Sequence, residues 1–187
     1  MPAPSRTSVE RIVAAGRSVL SDAGMEGLTM QRVASEVGVR PPSLYKHVAN
    51  RADLVRLIVG DIAREVRSLL ASAAVGVDAG EDLRAMAAAL RGFARRDPHA
   101  FGAMFSPAAE ESALDAGAYA DAAEPILEVA ARLAGAERAL DAARTVTAWA
   151  SGFLSMELAG AFHLDGDLDR AFAYGVEALI EALRATR

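Results

Sequence analysis

Residues 38–54 read GVRPPSLYKHVANRADL, and they stand apart from the alanine-rich chain around them. Residues 41–47 alone hold two adjacent prolines, a tyrosine, the only lysine of the chain and one of its three histidines. Helical periodicity flanks the stretch on both sides, so a short, stiff, polar element is set between helices. Proline is tolerated in the first turn of a helix, where the N–H groups have no intrahelical acceptor, and Pro41 and Pro42 stiffen that end. Ser43, Tyr45, Lys46 and His47 then project hydrogen-bonding groups, while Leu44 and Val48, four apart, pack inward. With Gly38 ending the helix before it, the arrangement predicts the second half of a helix-turn-helix, the half that enters the major groove of DNA. Arg51, just beyond Asn50, offers a phosphate contact.

Working outward, Val9, Ile12, Val13, Gly16 and Leu20 fall on one face of a first helix; Thr7 with Glu10 has capping-box spacing at its start, and Gly24 and Gly27 close it. A second helix spans about residues 29–36 with Val33, Ala34 and Val37 inward. A fourth begins at the cap Asn50, with Asp53 at its third position. Its apolar residues Leu54, Ile58, Ile62, Val66 and Leu69 predict a long connector to about residue 73. AVGVDAG (74–80) breaks the pattern before a helix with Leu83, Met86, Ala87, Leu90 and Phe93 on one face, and Asp97-Pro98 stops or kinks it. HAFGAMF (99–105) leads into a polar loop at 106–117, where Glu110 and Glu111 read as solvated surface. Helices at roughly 119–134, 136–164 and 167–184 complete an all-α chain with no β-type alternation and no internal repeat.

The last two helices share a spacing of small residues: Ala148, Gly152, Ser155 and Ala159 in one, Ala171, Gly175, Ala178 and Ala182 in the other. Such stripes let helix backbones approach closely, and neighbours such as Phe172 and Leu179 supply apolar area. A four-helix interface with a second copy is the preferred reading, internal packing the alternative. Residues 145–164 contain one formal charge, Glu157. Placing that ion in hydrocarbon costs about 2.5 kcal/mol or more, so a buried helix is expected rather than a membrane span. Glu157 is then either hydrogen-bonded within the core or interface, or faces a ligand cavity.

Composition narrows the function classes. The net charge of −5 conceals an asymmetry: residues 1–60 carry eight Arg or Lys against five Asp or Glu, the remainder twelve against twenty. The basic excess surrounds the helix-turn-helix, and the local field is what attracts phosphates. No cysteine is present, and His47, His99 and His163 offer no pair at helical metal-ligand spacing, so no metal site is expected. Neither a G-x-S-x-G elbow nor a phosphate-binding G-x-x-x-x-G-K-[ST] loop occurs, which argues against an enzyme. No signal-peptide pattern opens the chain, and a cytoplasmic protein is expected. Abundant Ala and Arg used in place of Lys point to a GC-rich bacterial genome.

The stretch LTMQRVASEVGVRPPSLYKHVANRADLV (28–55) resembles the helix-turn-helix of the TetR/AcrR family of transcriptional regulators, agreeing at more than a dozen positions. AWASGFLSMELAGAF (148–162) and DLDRAFAYGVEALIEAL (167–183) are similar to the WHG type of effector-binding domain, with Trp149 three residues ahead of Gly152. The resemblance implies a three-helix DNA-binding domain at 1–52, a connecting helix at about 50–73 and an effector-binding and dimerisation domain at 78–187. It implies that Pro41, Pro42 and Ser43 meet base edges and nearby backbone, that Tyr45 and His47 meet phosphates, that Lys46 stands where either kind of contact is made, and that Thr29 and Gln31 touch phosphates or flanking bases. Arg51 replaces the usual Lys, and Arg40 stands where many members have a small polar residue. The implied partners are a palindromic double-stranded DNA operator, a second copy of the chain and a small-molecule effector, with no cofactor. Met86, Leu90, Phe93, Phe101, Met104, Phe105, Trp149, Phe153 and Met156, large or adaptable and with few charges among them, are the expected lining of the effector cavity. The competing reading is a helical dimer that binds a small molecule or protein and carries a vestigial DNA-binding head.

Overall fold

The computed structural model describes residues 7–76, 78–105 and 116–186. The predicted loop, with Glu110 and Glu111, lies mostly outside the described residues. Among those described, the chain is all-α: α1 Val9–Gly27, α2 Met30–Val37, α3 Pro41–Leu44, α4 Arg51–Ala73, α5 Ala79–Arg96, α6 Pro98–Met104, α7 Ala116–Ala134, a 3-10 turn Ala136–Arg138, α8 Ala139–Leu158 and α9 Leu168–Ala185. They form two compact units, one of residues 1–64 with 97–119, the other of 65–96 with 120–187. No helix among the described residues is long and apolar enough to cross a membrane.

In the first unit α1 buries Ile12, Val13, Gly16 and Leu20 of the predicted face, together with Ala15 and Val19, while Val9 at its start is half-buried. Gly16 is required by close approach: a Cβ there would lie 2.4 Å from the Cδ1 of Ile58 on α4. The cap is Ser8 rather than the predicted Thr7; the Ser8 hydroxyl accepts from the Arg11 N–H, and Thr7 is itself buried. The expected closure by two glycines is realised as a bend. Gly24, at φ 65° and ψ −173°, interrupts the helix, which resumes for one turn to Gly27.

α2 is capped by the Thr29 hydroxyl, which accepts from the Arg32 N–H at 3.2 Å, and buries Val33 and Ala34 completely. Gly38 adopts the left-handed conformation (φ 78°, ψ 34°) that turns the chain into α3. α3 is a single turn, and the next residues continue as a turn in which the N–H groups of His47 and Val48 both donate to the Leu44 carbonyl, at 2.8 and 2.9 Å. α4 starts with a reciprocal cap: Asn50 Oδ1 accepts from the Asp53 N–H, and Asp53 Oδ2 accepts from the Ala49 N–H. It buries Leu54, Ile58, Ile62 and Val66.

α6 packs on α1. Asp97 caps it by accepting from the Ala100 N–H at 3.0 Å, and Pro98 occupies its first turn. The other Asp97 oxygen accepts from the Ser21 hydroxyl at 2.8 Å, and His99 Nδ1 donates to the Ser21 carbonyl at 2.8 Å.

In the second unit α5 buries Leu83, Met86, Ala87, Phe93 and Ala94 and packs on α8 and α9. Its entry is fixed by carboxylates. Asp78 accepts from the N–H groups of Gly80 and Glu81 and pairs with Arg184 of α9. Asp82, fully buried, pairs with Arg132 of α7 and accepts from the Gly76 N–H. Burial alone would raise the Asp82 carboxyl pKa, but the Arg132 and Gly76 hydrogen bonds outweigh it and hold it below its ordinary value.

The predicted helix over 136–164 is shorter than its periodicity suggests. A 3-10 turn precedes it, and α8 stops at Leu158, where Gly160 takes φ 62° and the Ala161 and Gly160 N–H groups donate to the carbonyls of Met156 and Glu157. That pattern is a Schellman closure. Gly175 of α9 lies directly under Trp149 of α8: a Cβ there would come within 2.2 Å of the indole ring. The indole stacks with Phe172 at 5.3 Å and Phe153 at 5.6 Å, so it has little room to retreat. Gly175→Ala should therefore destabilise the protein by about 1–3 kcal/mol through overpacking. An unchanged midpoint in urea denaturation would show that the indole shifts without strain.

Candidate nucleic-acid interface

The residues predicted to meet DNA lie on the consecutive α2–α3–α4 segments of the first unit. Thr29, Gln31, Arg40, Pro42, Tyr45, Lys46 and His47 are exposed, with Tyr45 at 54%; Pro41 and Ser43 are half-buried. The Thr29 oxygen accepts from its own helix, which leaves its hydroxyl hydrogen for a phosphate. Burial of Leu44 and Val48, at 0% and 1%, turns the polar side of the α3 segment outward.

Arg51 is placed differently from a free phosphate ligand. Its guanidinium donates to the carbonyls of Leu28 at 2.9 Å and Met25 at 2.7 Å, clasping the start of α4 to the bend at the end of α1. Other cations of this unit are also engaged internally: Arg17 and Arg64 with Asp61, and Arg56 with Asp53. The side chains of Arg32, Arg40 and Lys46, by contrast, make no hydrogen bond or ion pair among the described residues. Arg32, next to Gln31 in the first turn of α2, was not singled out from the sequence, although its place beside the cap was a readable signal.

The expected effector residues divide. Phe101, Met104 and Phe105 belong to the first unit, Phe101 fully buried and stacked on Phe105 at 5.3 Å. Met86 and Phe93 are buried in the second unit, Leu90, Trp149 and Phe153 are half-buried, and Met156 is 45% exposed. None of the nine lines the groove of about 670 Å³ beside the α8–α9 loop, which is bordered by Phe162, Leu164, Leu168, Ala171 and Tyr174. Of the two small-residue stripes, Ala148, Gly152, Ser155, Ala159, Ala171, Ala178 and Ala182 are exposed and Leu179 is half-buried. Phe172 is buried within the subunit, and Gly175 faces Trp149.

Glu157 is satisfied within the second unit. Both its oxygens accept from Arg91, at 2.9 and 2.7 Å, and Arg95 adds a bond of 2.6 Å. Asp169 pairs with both arginines, and the Arg91 guanidinium lies 4.6 Å from the Phe172 ring centroid. No local pattern reports this partnership, because Arg91 lies 66 residues away.

A proline-started element held between a glycine-terminated helix and a capped long helix, with its polar face outward, defines a DNA-binding protein of the helix-turn-helix class. The pattern described as "Bacterial regulatory proteins, tetR family" matches residues 12–58, and the one described as "Tetracyclin repressor-like, C-terminal domain" matches residues 83–179, more than half of the chain. An uncharacterised HTH-type transcriptional regulator of Mycobacterium tuberculosis is 28% identical over 171 residues, covering 90% of this chain and 78% of that one. Crystalline BioQ of Mycobacterium smegmatis matches with a TM-score of 0.73 at 25% identity over 97% of this chain and all of that one. BioQ with its natural double-stranded DNA operator matches with the same score at 24% identity over 96% and 99%. The chain belongs to the TetR family and is a transcriptional regulator.

The Arg91 hydrogen bond, against the opposing effect of burial and with Arg95 in support, holds the Glu157 carboxyl below its ordinary value of 4.5. A carboxyl with a lower pKa in the folded chain makes the unfolded chain bind more protons as pH falls. Its stabilisation is complete above about pH 4.5 and is lost as pH falls through the folded value. Glu157→Gln should be less stable at pH 7, with a shallower decline toward acid, in urea melts from pH 7 to pH 3. An acid limb parallel to that of the parent chain would remove Glu157 from the account.

Proposed function

We propose that the protein is a dimeric repressor that binds a palindromic operator and leaves it when a small apolar or weakly polar effector binds. The observation that carries the reading is the exposed set Arg40, Pro42, Tyr45, Lys46 and His47 on one turn anchored by the buried Leu44 and Val48, flanked by Thr29 and Gln31. In this division residues 1–52 bind DNA, α4 connects, and residues 78–187 bind the effector and dimerise. BioQ, which shares the fold, is known with its DNA operator, and that supports assigning the same face to the same task here. Localisation in the cytoplasm follows from a genomic target.

Dimerisation is assigned to the exposed small residues of α8 and α9, which suit an isologous pairing of two helices from each copy. A two-fold dimer presents its recognition elements about 34–36 Å apart, on successive major grooves. The effector is assigned to the second unit, among Met86, Leu90, Phe93, Trp149, Phe153 and Met156. Release requires only that the effector favour one conformer over the other, typically by about 1–3 kcal/mol.

The test is binding to labelled DNA from upstream of the protein's own gene against scrambled DNA of equal length, at one salt concentration. Preference of about 10³-fold or more is expected. Equal, weak binding to both, repeated across a genomic fragment selection, would favour the vestigial-head reading. A second test addresses the dimer. Among the described residues, no atom beyond its own helix backbone and chain neighbours lies within 4 Å of a Cβ built on Gly152, so Gly152→Arg should leave the subunit folded. It should sediment as a monomer with native circular dichroism and bind operator about 10²-fold or more weakly. A variant that stayed dimeric with full affinity would place the interface elsewhere.

A further inference from the structure

We infer that Arg40 is the residue that sets base specificity, reading a guanine in each half-site; the inference rests on the operator-binding reading above. Pro41 and Pro42 have no N–H and the rings no polar atom, so neither can donate a hydrogen bond at the leading end of α3. The Ser43 N–H is already directed to the Arg40 carbonyl at 2.9 Å, and the Ser43 side chain is half-buried. The polar group left free at that end is the Arg40 side chain. Its backbone is extended (φ −81°, ψ 146°), it makes no capping bond, and it is exposed.

The state of the neighbouring cations strengthens the assignment. Arg17, Arg51, Arg56 and Arg64 are held by carboxylates or carbonyls of their own unit, whereas the Arg40 guanidinium has no partner among the described residues. Phosphate contact is available without it, from Lys46, Tyr45 and His47 at the trailing end and from Thr29 on α2. A planar fork of donors at the leading end of a recognition element matches the O6 and N7 acceptors of guanine in the major groove, and no other base pair offers that pair of acceptors on one edge.

The experiment is selection from a random duplex library with the full-length chain, Arg40→Ala and Arg40→Lys. The parent chain should return a symmetric G·C pair that Arg40→Ala loses and Arg40→Lys keeps only weakly, both retaining the rest of the sequence. On the selected operator, replacing that guanine by 7-deazaguanine, which lacks the N7 acceptor, should weaken the parent chain roughly 5- to 150-fold and leave Arg40→Ala unaffected. Arg40→Lys keeps the charge and can still donate to O6 and N7 but loses the planar fork, so it should keep a weaker preference for the same guanine, intermediate between the parent chain and Arg40→Ala. If Arg40→Ala instead weakens all duplexes equally and lowers the salt slope by about one, Arg40 is a phosphate contact and the inference fails. If the parent chain enriches a sequence that Arg40→Ala enriches identically, the inference fails while the operator reading stands. If the parent chain enriches nothing, the operator reading falls first.

Discussion

A helix of four residues cannot hold itself, because forming the first turn fixes several dihedrals for one hydrogen bond. The proposed DNA-facing side of this protein therefore depends on the burial of Leu44 and Val48, which are 0% and 1% exposed. The two side chains anchor a turn whose φ values are already restricted by Pro41 and Pro42, and the Leu44 carbonyl fixes the return by accepting from His47 and Val48. Gly38 supplies the left-handed corner that lets α2 and this turn share one core. The polar display of Tyr45, Lys46 and His47 is thus a by-product of apolar packing: the side of the turn that is not buried is the side that is offered.

Charge in the first unit divides between holding and display. Arg51 bonds to two carbonyls near the bend at Gly24, and the same bend faces the His99 ring, which would lie 3.4 Å from a Cβ on Gly24. The bend and the polar bonds of Ser21 to Asp97 and His99 tie α6 to the end of α1. The basic excess of the first sixty residues consequently overstates the field available to a phosphate, since Arg17 and Arg56 are paired with carboxylates and Arg51 is turned toward two carbonyls. The second unit uses charge differently. Asp78, Glu81 and Asp82 sit in or next to the first turn of α5, where the helix dipole favours anions, and Arg184 and Arg132 reach Asp78 and Asp82 from α9 and α7.

Much of the fold was legible because its signals are local. Amphipathic spacing located α1, α2, α4 and α5, and two prolines after a glycine located the helix-turn-helix. The readings that moved did so for reasons beyond a sequence window. Thr7 and Ser8 are equivalent as caps until burial takes one of them. The apolar pattern runs through Gly160 unbroken, yet a left-handed glycine there closes α8. Residues 97–105 read as part of the C-terminal domain by sequence order but pack on α1. Pairings such as Glu157 with Arg91 and Asp82 with Arg132 link residues 50 or more apart, and no periodicity reports them. The candidate DNA-facing residues were legible as a set, but the diversion of Arg51 to two carbonyls was not.

The small-residue stripes show why a sequence pattern can mix two physical uses. Gly175 is small because Trp149 occupies the space above it, so in that position the glycine serves packing within the subunit. Among the described residues nothing beyond its own helix backbone and chain neighbours lies within 4 Å of a Cβ on Gly152, and Ala148, Ser155 and Ala159 are exposed on the same spacing. Alanine and glycine bury little area, so a partner helix gains closeness from this stripe rather than hydrophobic free energy. In the proposed dimer the area has to come from larger side chains that remain exposed: Met156 at 45%, Tyr174 at 76% and Leu164 at 92%. They lie on α8, α9 and the loop between them, and under the proposed pairing they would supply the apolar area that an alanine stripe alone lacks.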